Sequence, residues 1–131
     1  MKRIMVDMSA TIIHHGHIRL LKHAKKIGHT VVALTLDEEI KKYKGYVPEL
    51  KFQYRLEIME SIKYVDEVVS SPWLINDEFL DLHNIDFLIH GHDNSNKISE
   101  DRIKIIKRTP DISSSKIREK IIEEYFKKKE K

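Results

Sequence analysis

The chain has 131 residues, of which 40% are hydrophobic and 34% are charged, and it has no cysteine and a formal net charge of +3. These values fit one soluble domain and exclude disulfide and thiol chemistry. No run approaches the roughly 20 apolar residues that span a membrane, no signal peptide is recognised, and basic residues alternate with acidic ones. We therefore expect a cytoplasmic protein without nucleic acid binding or membrane insertion.

Strands and helices are predicted to alternate through a single domain over 1–131, with a frayed, charged tail over 127–131. In chain order we first predict a strand over 2–7, a helix over 16–27, a strand within 29–36, a short helix over 38–43 and a helix over 51–63. These are followed by a strand over 66–70, a helix over 77–83, strands over 86–90 and 103–106, and a helix from about Ser113. Helical spacing predicts that the last helix buries Ile117, Ile121, Ile122 and Tyr125.

This alternation implies parallel βαβ units, so the expected fold class is α/β, with a Rossmann-like parallel sheet of about five strands and helices on both faces. Gly28 is predicted to end the first helix, and Asp37 to cap the short helix that follows. Parallel sheets bind ligands beyond the carboxyl ends of their strands. The segments around His14, Asp37, His90 and 108–115 all follow strands, so they should gather at one edge of the sheet.

The first candidate site residues are His14, Gly16 and His17, which lie between the first strand and the first helix. Glycine allows a close backbone approach, and a helix start offers unpaired N–H groups to an anion. Two imidazoles there can hydrogen-bond phosphate oxygens. A helix start that is merely rich in histidine is an equally good interpretation from these residues alone. Zinc is disfavoured because no cysteine or nearby acidic residue completes a tetrahedral set.

The second candidate segment is 108–118, which contains three successive serines, Ser113 to Ser115, at a helix start. Hydroxyls and backbone N–H groups at a helix N-terminus favour anions, and Arg108, Lys116 and Arg118 add positive charge. Ordinary serine capping explains one serine. Three exceed what a cap requires, which favours phosphate binding.

Two further groups are weaker signals. Lys44 precedes a helix and Arg55 lies near its start, where a basic residue opposes the helix dipole unless an anion is close. From these residues alone, a solvated charge on an amphipathic helix is the better interpretation. His90 and Gly91 end a strand and precede Asp93, which could contact a base, a sugar or a metal ion, or could simply cap the turn.

Together these residues resemble the small cytidylyltransferase family over about 2–118. Its His-x-Gly-His motif appears as His14-His15-Gly16-His17, and its Arg-Thr-x-Gly-Ile-Ser-(Ser/Thr)-(Ser/Thr) motif as the segment 108–115. Arg55, the stretch 62–68 and the strand-end His90-Gly91-x-Asp93 also match. Three positions depart from the family pattern: Thr11 and His92 each replace an acidic residue, and Asp111 replaces a glycine. The family includes enzymes acting on glycerol 3-phosphate, choline phosphate, ethanolamine phosphate and aminoethylphosphonate.

The resemblance implies transfer of CMP from CTP, with a magnesium ion on the phosphates, to a small phosphorylated alcohol or a phosphonate. It implies that His14, His17 and Lys44 stabilise charge on the reacting phosphates and that the serine segment holds the β- and γ-phosphates. The nucleotide-binding residues that it predicts are Ser9, Ala10, Gly16, Arg55, His90, Gly91, Asp93, Arg108, Thr109, Ile112, Ser113, Ser114 and Ser115. It assigns no protein ligand to a metal, and it implies a homodimer with 64–66 near the subunit contact.

Two alternatives stay open on the sequence. The same histidine motif serves adenylyltransferases that use ATP on a phosphorylated cofactor precursor, although the arginine–threonine–serine segment and the short chain favour CTP. The replacements at Thr11 and His92 would also fit a module that binds nucleotide without catalysis.

Overall fold

The structure, a computed structural model, describes residues 1–91, 96–107 and 109–129. Its strands are β1 (Arg3–Met8), β2 (His29–Thr35), β3 (Glu67–Ser71), β4 (Phe87–His90) and β5 (Ile103–Ile105). Its α-helices are α1 (His15–Ile27), α2 (Asp37–Lys44), α3 (Phe52–Glu60), α4 (Asp77–Leu82) and α5 (Ser114–Lys129). Each predicted strand and helix is therefore present, with its ends shifted by a few residues at most.

The five strands form one parallel sheet in the order β3-β2-β1-β4-β5. The chain winds outward from β1 to β3 and then returns to the other side of β1 at β4. The carboxyl ends of β1 and β4 therefore flank the point where the winding direction reverses, which is where ligands bind in open α/β sheets. The predicted fold class is confirmed.

The core lies on both faces of the sheet because successive side chains of a strand point to opposite sides. Ile4 and Val6 of β1 pack in one apolar cluster with Leu21 of α1 and Met59 of α3. The intervening Met5 packs in a second cluster, which includes Leu80 of α4. A central strand buried on both faces reads as a continuous apolar run, as 4–6 does here.

Gly28 ends α1, as predicted, and its N–H donates to the Ala24 carbonyl at 3.1 Å. The next residue, His29, donates its N–H to the Lys2 carbonyl at 2.8 Å, which starts the pairing of β2 with β1. A Cβ at position 28 would lie only 2.2 Å from that carbonyl oxygen. Glycine is therefore required by the close approach of two backbones.

The predicted burial of α5 is wrong. Of its described residues none is buried, and four apolar side chains are more than half exposed: Ile121 (59%), Ile122 (55%), Tyr125 (53%) and Phe126 (58%). Helical periodicity identifies an apolar face, but it does not say whether another element covers that face. The helix also continues through Lys129, so 127–129 are helical and not frayed. Within the described ranges, no helix combines the length and apolar character needed to cross a membrane.

Candidate functional site

A cavity of about 590 Å³ opens at the carboxyl ends of β1, β2 and β4. Asp7 and Met8, Thr35 and His90 contribute the ends of these three strands to its wall. Thirteen of the residues predicted from the sequence line it: Ser9, Ala10, His14, Gly16, His17, Lys44, His90, Gly91, Thr109, Ile112, Ser113, Ser114 and Ser115. The expectation that the strand-end segments gather at one edge of the sheet is thus met for the two main motifs and for His90.

The two motif histidines cap α1 with their own side chains. Nδ1 of His14, the N-cap residue, accepts the Gly16 N–H at 3.0 Å, and Nδ1 of His17 accepts the His14 N–H at 3.2 Å. This reciprocal arrangement satisfies two backbone donors that a helix start otherwise leaves unpaired. The two rings lie 3.9 Å apart between centroids. The spacing of the motif therefore places two imidazoles side by side in the cavity wall.

These contacts also define which imidazole nitrogen can act on a ligand. Because each Nδ1 accepts a backbone N–H, a neutral ring carries its proton on Nε2 and can donate it. Burial, followed by the charge of the neighbouring His15, holds the pKa of His14 below its ordinary value. His14 is thus a neutral Nε2–H donor at neutral pH.

The serine segment lies beside the histidine loop and lines the same cavity. Ser113 caps α5 by accepting the Lys116 N–H at 3.1 Å. The Ser114 hydroxyl donates to the Ile12 carbonyl at 2.8 Å and accepts the Ile12 N–H at 3.3 Å, so it joins α5 to the loop that precedes His14. Asp111, where the family pattern has glycine, adopts φ +61°, the left-handed conformation that aspartate tolerates better than most residues. Glycine would be compatible with this conformation as well, so the replacement needs no different backbone at this position.

Lys44 ends α2 beside an aromatic pair. Its Nζ lies 5.7 Å from the ring centroid of Trp73, and Trp73 stacks on Tyr43 at 5.5 Å with an interplanar angle of 12°. The aromatic faces restrict the flexible lysine stem and attract its ammonium group. Lys44 thus contributes a cation to the cavity wall, whereas Lys41 and Lys42 of the same helix do not line the cavity.

A carboxylate and an imidazole meet on the floor of the cavity. Asp7 Oδ1 lies 2.7 Å from His90 Nδ1, and the two side chains are only 11% and 17% exposed. The pair joins adjacent strands β1 and β4 at the reversal of the winding direction. The contact orients the His90 ring, and both side chains line the cavity.

Arg55 does not line the cavity, although the sequence predicts it as a nucleotide-binding residue. Its side chain is 1% exposed and lies beneath the site. Its guanidinium donates to the carbonyls of Ser9 at 2.7 Å, Thr35 at 2.9 Å and Leu50 at 3.1 Å, and to Asp37 Oδ1 at 2.6 Å. Asp37 therefore does not act as the predicted helix cap: α2 starts at Asp37 itself, and its carboxylate binds Arg55 and the Phe52 N–H.

Asp93, Arg108 and His92 lie outside the described residues. The cavity wall also contains residues that the sequence reasoning did not select, among them Asp7, Tyr46, Trp73 and His23. His23 lies two helical turns after Gly16 on the same side of α1, and that spacing is the signal that could have found it. Asp7 could have been found as a charged residue at the end of an otherwise apolar strand.

Comparison with known proteins gives relatives that cover nearly the whole chain. The glycerol-3-phosphate cytidylyltransferase of Staphylococcus aureus is 33% identical over 129 residues, which is 92% of this chain and 96% of that protein. The Bacillus subtilis glycerol-3-phosphate cytidylyltransferase is 34% identical over 132 residues, with 92% and 98% covered. The mouse ethanolamine-phosphate cytidylyltransferase is 39% identical over 93 residues, but this chain spans only 23% of that longer protein.

Among solved structures, a lipopolysaccharide core biosynthesis protein from Thermoplasma volcanium superposes with a TM-score of 0.67 over 82% of this chain and 96% of its own. At 23% identity this likeness concerns the fold alone. The family model described as cytidylyltransferase-like matches residues 9–108, which include the histidine loop, Lys44, Arg55 and the end of β4. The chain therefore belongs to the cytidylyltransferase-like family.

Proposed function

We propose that this protein is a cytoplasmic enzyme that transfers CMP from CTP to a small phosphorylated alcohol, giving a CDP-alcohol and pyrophosphate. One observation carries the proposal: His14, His17 and the N-terminal serines of α5 line a single cavity at the reversal point of the sheet. Two imidazole donors and a helix start in the same cavity suit a chain of phosphates. The two bacterial relatives that match this chain almost end to end are named as cytidylyltransferases.

The reaction needs positioning and charge stabilisation more than covalent catalysis. An oxygen of the acceptor phosphate attacks the α-phosphorus of CTP, and the bond to the bridging oxygen of the β-phosphate breaks, so that pyrophosphate leaves in line. In this proposal Nε2–H of His14 and His17 donates to oxygens that gain charge in the transition state. Lys44 neutralises the triphosphate, and Ser113, Ser115 and the N–H groups at the start of α5 hold its far end.

Magnesium is expected to arrive with the nucleotide. Within the described residues, no group of three or more histidine, aspartate or glutamate side chains is placed to hold a metal ion. A divalent ion bound to the phosphate oxygens would supply charge neutralisation and would retain part of its water shell. We therefore propose MgCTP as the substrate form, with the residues of this chain binding the complex through the phosphates.

Pyrophosphate release tests the activity directly. The assay pairs CTP or ATP, each with magnesium, with glycerol 3-phosphate, ethanolamine phosphate, choline phosphate and aminoethylphosphonate. Release with CTP and one acceptor supports the proposal and identifies the acceptor. Release with ATP alone would establish an adenylyltransferase instead. CTP binding by calorimetry without release from any pair would support a module that binds nucleotide and does not catalyse.

Gly16→Ala should reduce kcat by about 10²-fold, the scale for misplacing a reacting group by about 1 Å. The new Cβ would lie 2.8 Å from Cε1 and 2.9 Å from Nδ1 of His14, so the imidazole must move. Alanine is also the better helix former, by up to about 1 kcal/mol, so thermal unfolding should show no large loss of stability. Steady-state kinetics together with a melting curve measure both effects. Unchanged kcat would contradict the role given to the His14 ring.

We also propose that the enzyme is a homodimer, as the family resemblance implies. The resemblance places 64–66 near the subunit contact, and the four exposed apolar side chains of α5, from Ile121 to Phe126, offer a further apolar surface. Light scattering coupled to size exclusion should give twice the chain mass of 15.5 kDa. A mass equal to one chain across a range of concentrations would contradict the proposal.

A further inference from the structure

α5 begins at the serines that we propose to bind phosphate, yet only its first turns are attached to the rest of the fold. Ser113 to Ser115 lie at its start, whereas the residues from Glu119 to Lys129 are exposed. Apolar packing therefore does not hold the helix in place. Among the described side-chain hydrogen bonds and ion pairs, those that join α5 to other elements come from Ser114 and Arg118.

Arg118 joins three segments through one guanidinium. Its Nε and Nη2 donate to the two carboxylate oxygens of Glu49 at 2.5 and 2.7 Å, and Nη2 also donates to the Thr11 hydroxyl at 2.6 Å. The guanidinium carbon lies 4.6 Å from the ring centroid of Tyr46, whose hydroxyl lies 3.4 Å from that of Thr11. A paired, stacked arginine of this kind is held in one orientation.

The segments that Arg118 joins include residues of the cavity wall. Thr11 is 2% exposed and lies three residues before His14, and Tyr46 lies two residues after Lys44. Arg118 follows Ser114 by four residues, so both lie on the same face of α5. The hydrogen bond of Glu49 raises the pKa of Arg118 and in turn lowers that of Glu49, so the pair stays ionised around neutral pH.

We propose that Arg118, held by Glu49, is a positioning residue that sets the distance between the serine helix and the histidine loop and thereby determines the affinity for the nucleotide. The inference rests on the proposed function, because it assumes that the serines bind the triphosphate. Arg118 does not itself belong to the cavity wall. Its contribution therefore reaches the nucleotide through Thr11, Tyr46 and the first turn of α5.

A direct role for the arginine makes the opposite prediction. If Arg118 bound the triphosphate with its own charge, Glu49 would compete for it, and Glu49→Gln would lower the KM for CTP. If the ion pair positions the helix, Glu49→Gln raises that KM. Glu49 is half exposed, so its substitution is expected to leave the protein folded even where Arg118→Ala does not.

The experiment compares Glu49→Gln, Arg118→Ala and the double variant. Each single change should raise the KM for CTP about five- to tenfold, with kcat and the KM for the acceptor within about twofold of the unmodified protein. The double variant should raise the KM for CTP no more than the more severe of the two single variants, because both changes remove the same contact. The matched control is Glu123→Gln with Lys127→Ala, which removes an exposed ion pair on the same helix and should change none of these values.

Three results would overturn the inference: a lower KM for CTP in Glu49→Gln, additive effects in the double variant, or an equal effect in the control. An unmodified protein that neither binds CTP nor releases pyrophosphate would overturn the proposed function instead. Turnover in the unmodified protein with no change in the Glu49 and Arg118 variants would reject the positioning role alone. The two failures are therefore distinguishable.

Discussion

A His17→Ala variant should lose about 10²–10³-fold in kcat, or about 2.7–4 kcal/mol of transition-state stabilisation, which is the scale for removing one preorganised hydrogen-bond donor. The imidazole of His17 lies in the cavity wall beside that of His14, with its Nδ1 engaged by the His14 N–H at 3.2 Å. Its Nε2–H is therefore directed by the helix start itself. Single-turnover and steady-state kinetics with CTP and the acceptor found in the panel assay would measure the loss.

His15→Ala is the matched control, because His15 stands in the same motif, is exposed and does not line the cavity. It should stay within about twofold of the unmodified rate. Calorimetry with CTP separates weaker binding from slower chemistry in the His17 variant. Turnover of the His17 variant at the unmodified rate would remove this residue from the mechanism.

An Arg55→Ala variant should unfold about 10–20 °C earlier, which corresponds to a loss of about 3–5 kcal/mol, because three carbonyl groups lose a buried donor at a cost of about 1–3 kcal/mol each. The guanidinium is 1% exposed and binds three carbonyl groups as well as Asp37. Arg55→Lys should recover little of this stability, because a single ammonium group cannot reach four acceptors in different directions. Calorimetric melting curves measure both variants.

Gln53→Ala is the control for Arg55, because Gln53 is exposed on the same helix, and it should change the free energy of unfolding by less than about 0.5 kcal/mol. The Arg55 variants also decide between two roles. A large loss of stability indicates that Arg55 has a structural role, in which it holds the backbone of Ser9 and Thr35 from below the cavity. A melting temperature close to that of the unmodified protein, combined with a much higher KM for CTP, would instead support direct contact with the nucleotide.

The sequence predicted the sheet, the helix positions and the two main motifs because these depend on local pattern. Alternating apolar runs and helical spacing identify strands and helices, and strand ends identify the edge where the motifs meet. Pairings across long separations carry no such local signal. Nothing near Arg55 shows that its partners are Asp37 and two carbonyls on other elements, and nothing in α5 shows that its apolar face is left uncovered.

The capping of α1 by His14 and His17 has a consequence for how this motif can change. The hydrogen bonds that orient the two rings also cap the start of α1. The same residues therefore start the helix and align the imidazoles. A substitution that keeps a hydrogen-bond donor at this position but lacks the acceptor nitrogen of the imidazole loses both. Moving these four residues to another junction between a strand and a helix should therefore preserve the alignment of the two rings, because the hydrogen bonds that set it lie within the motif.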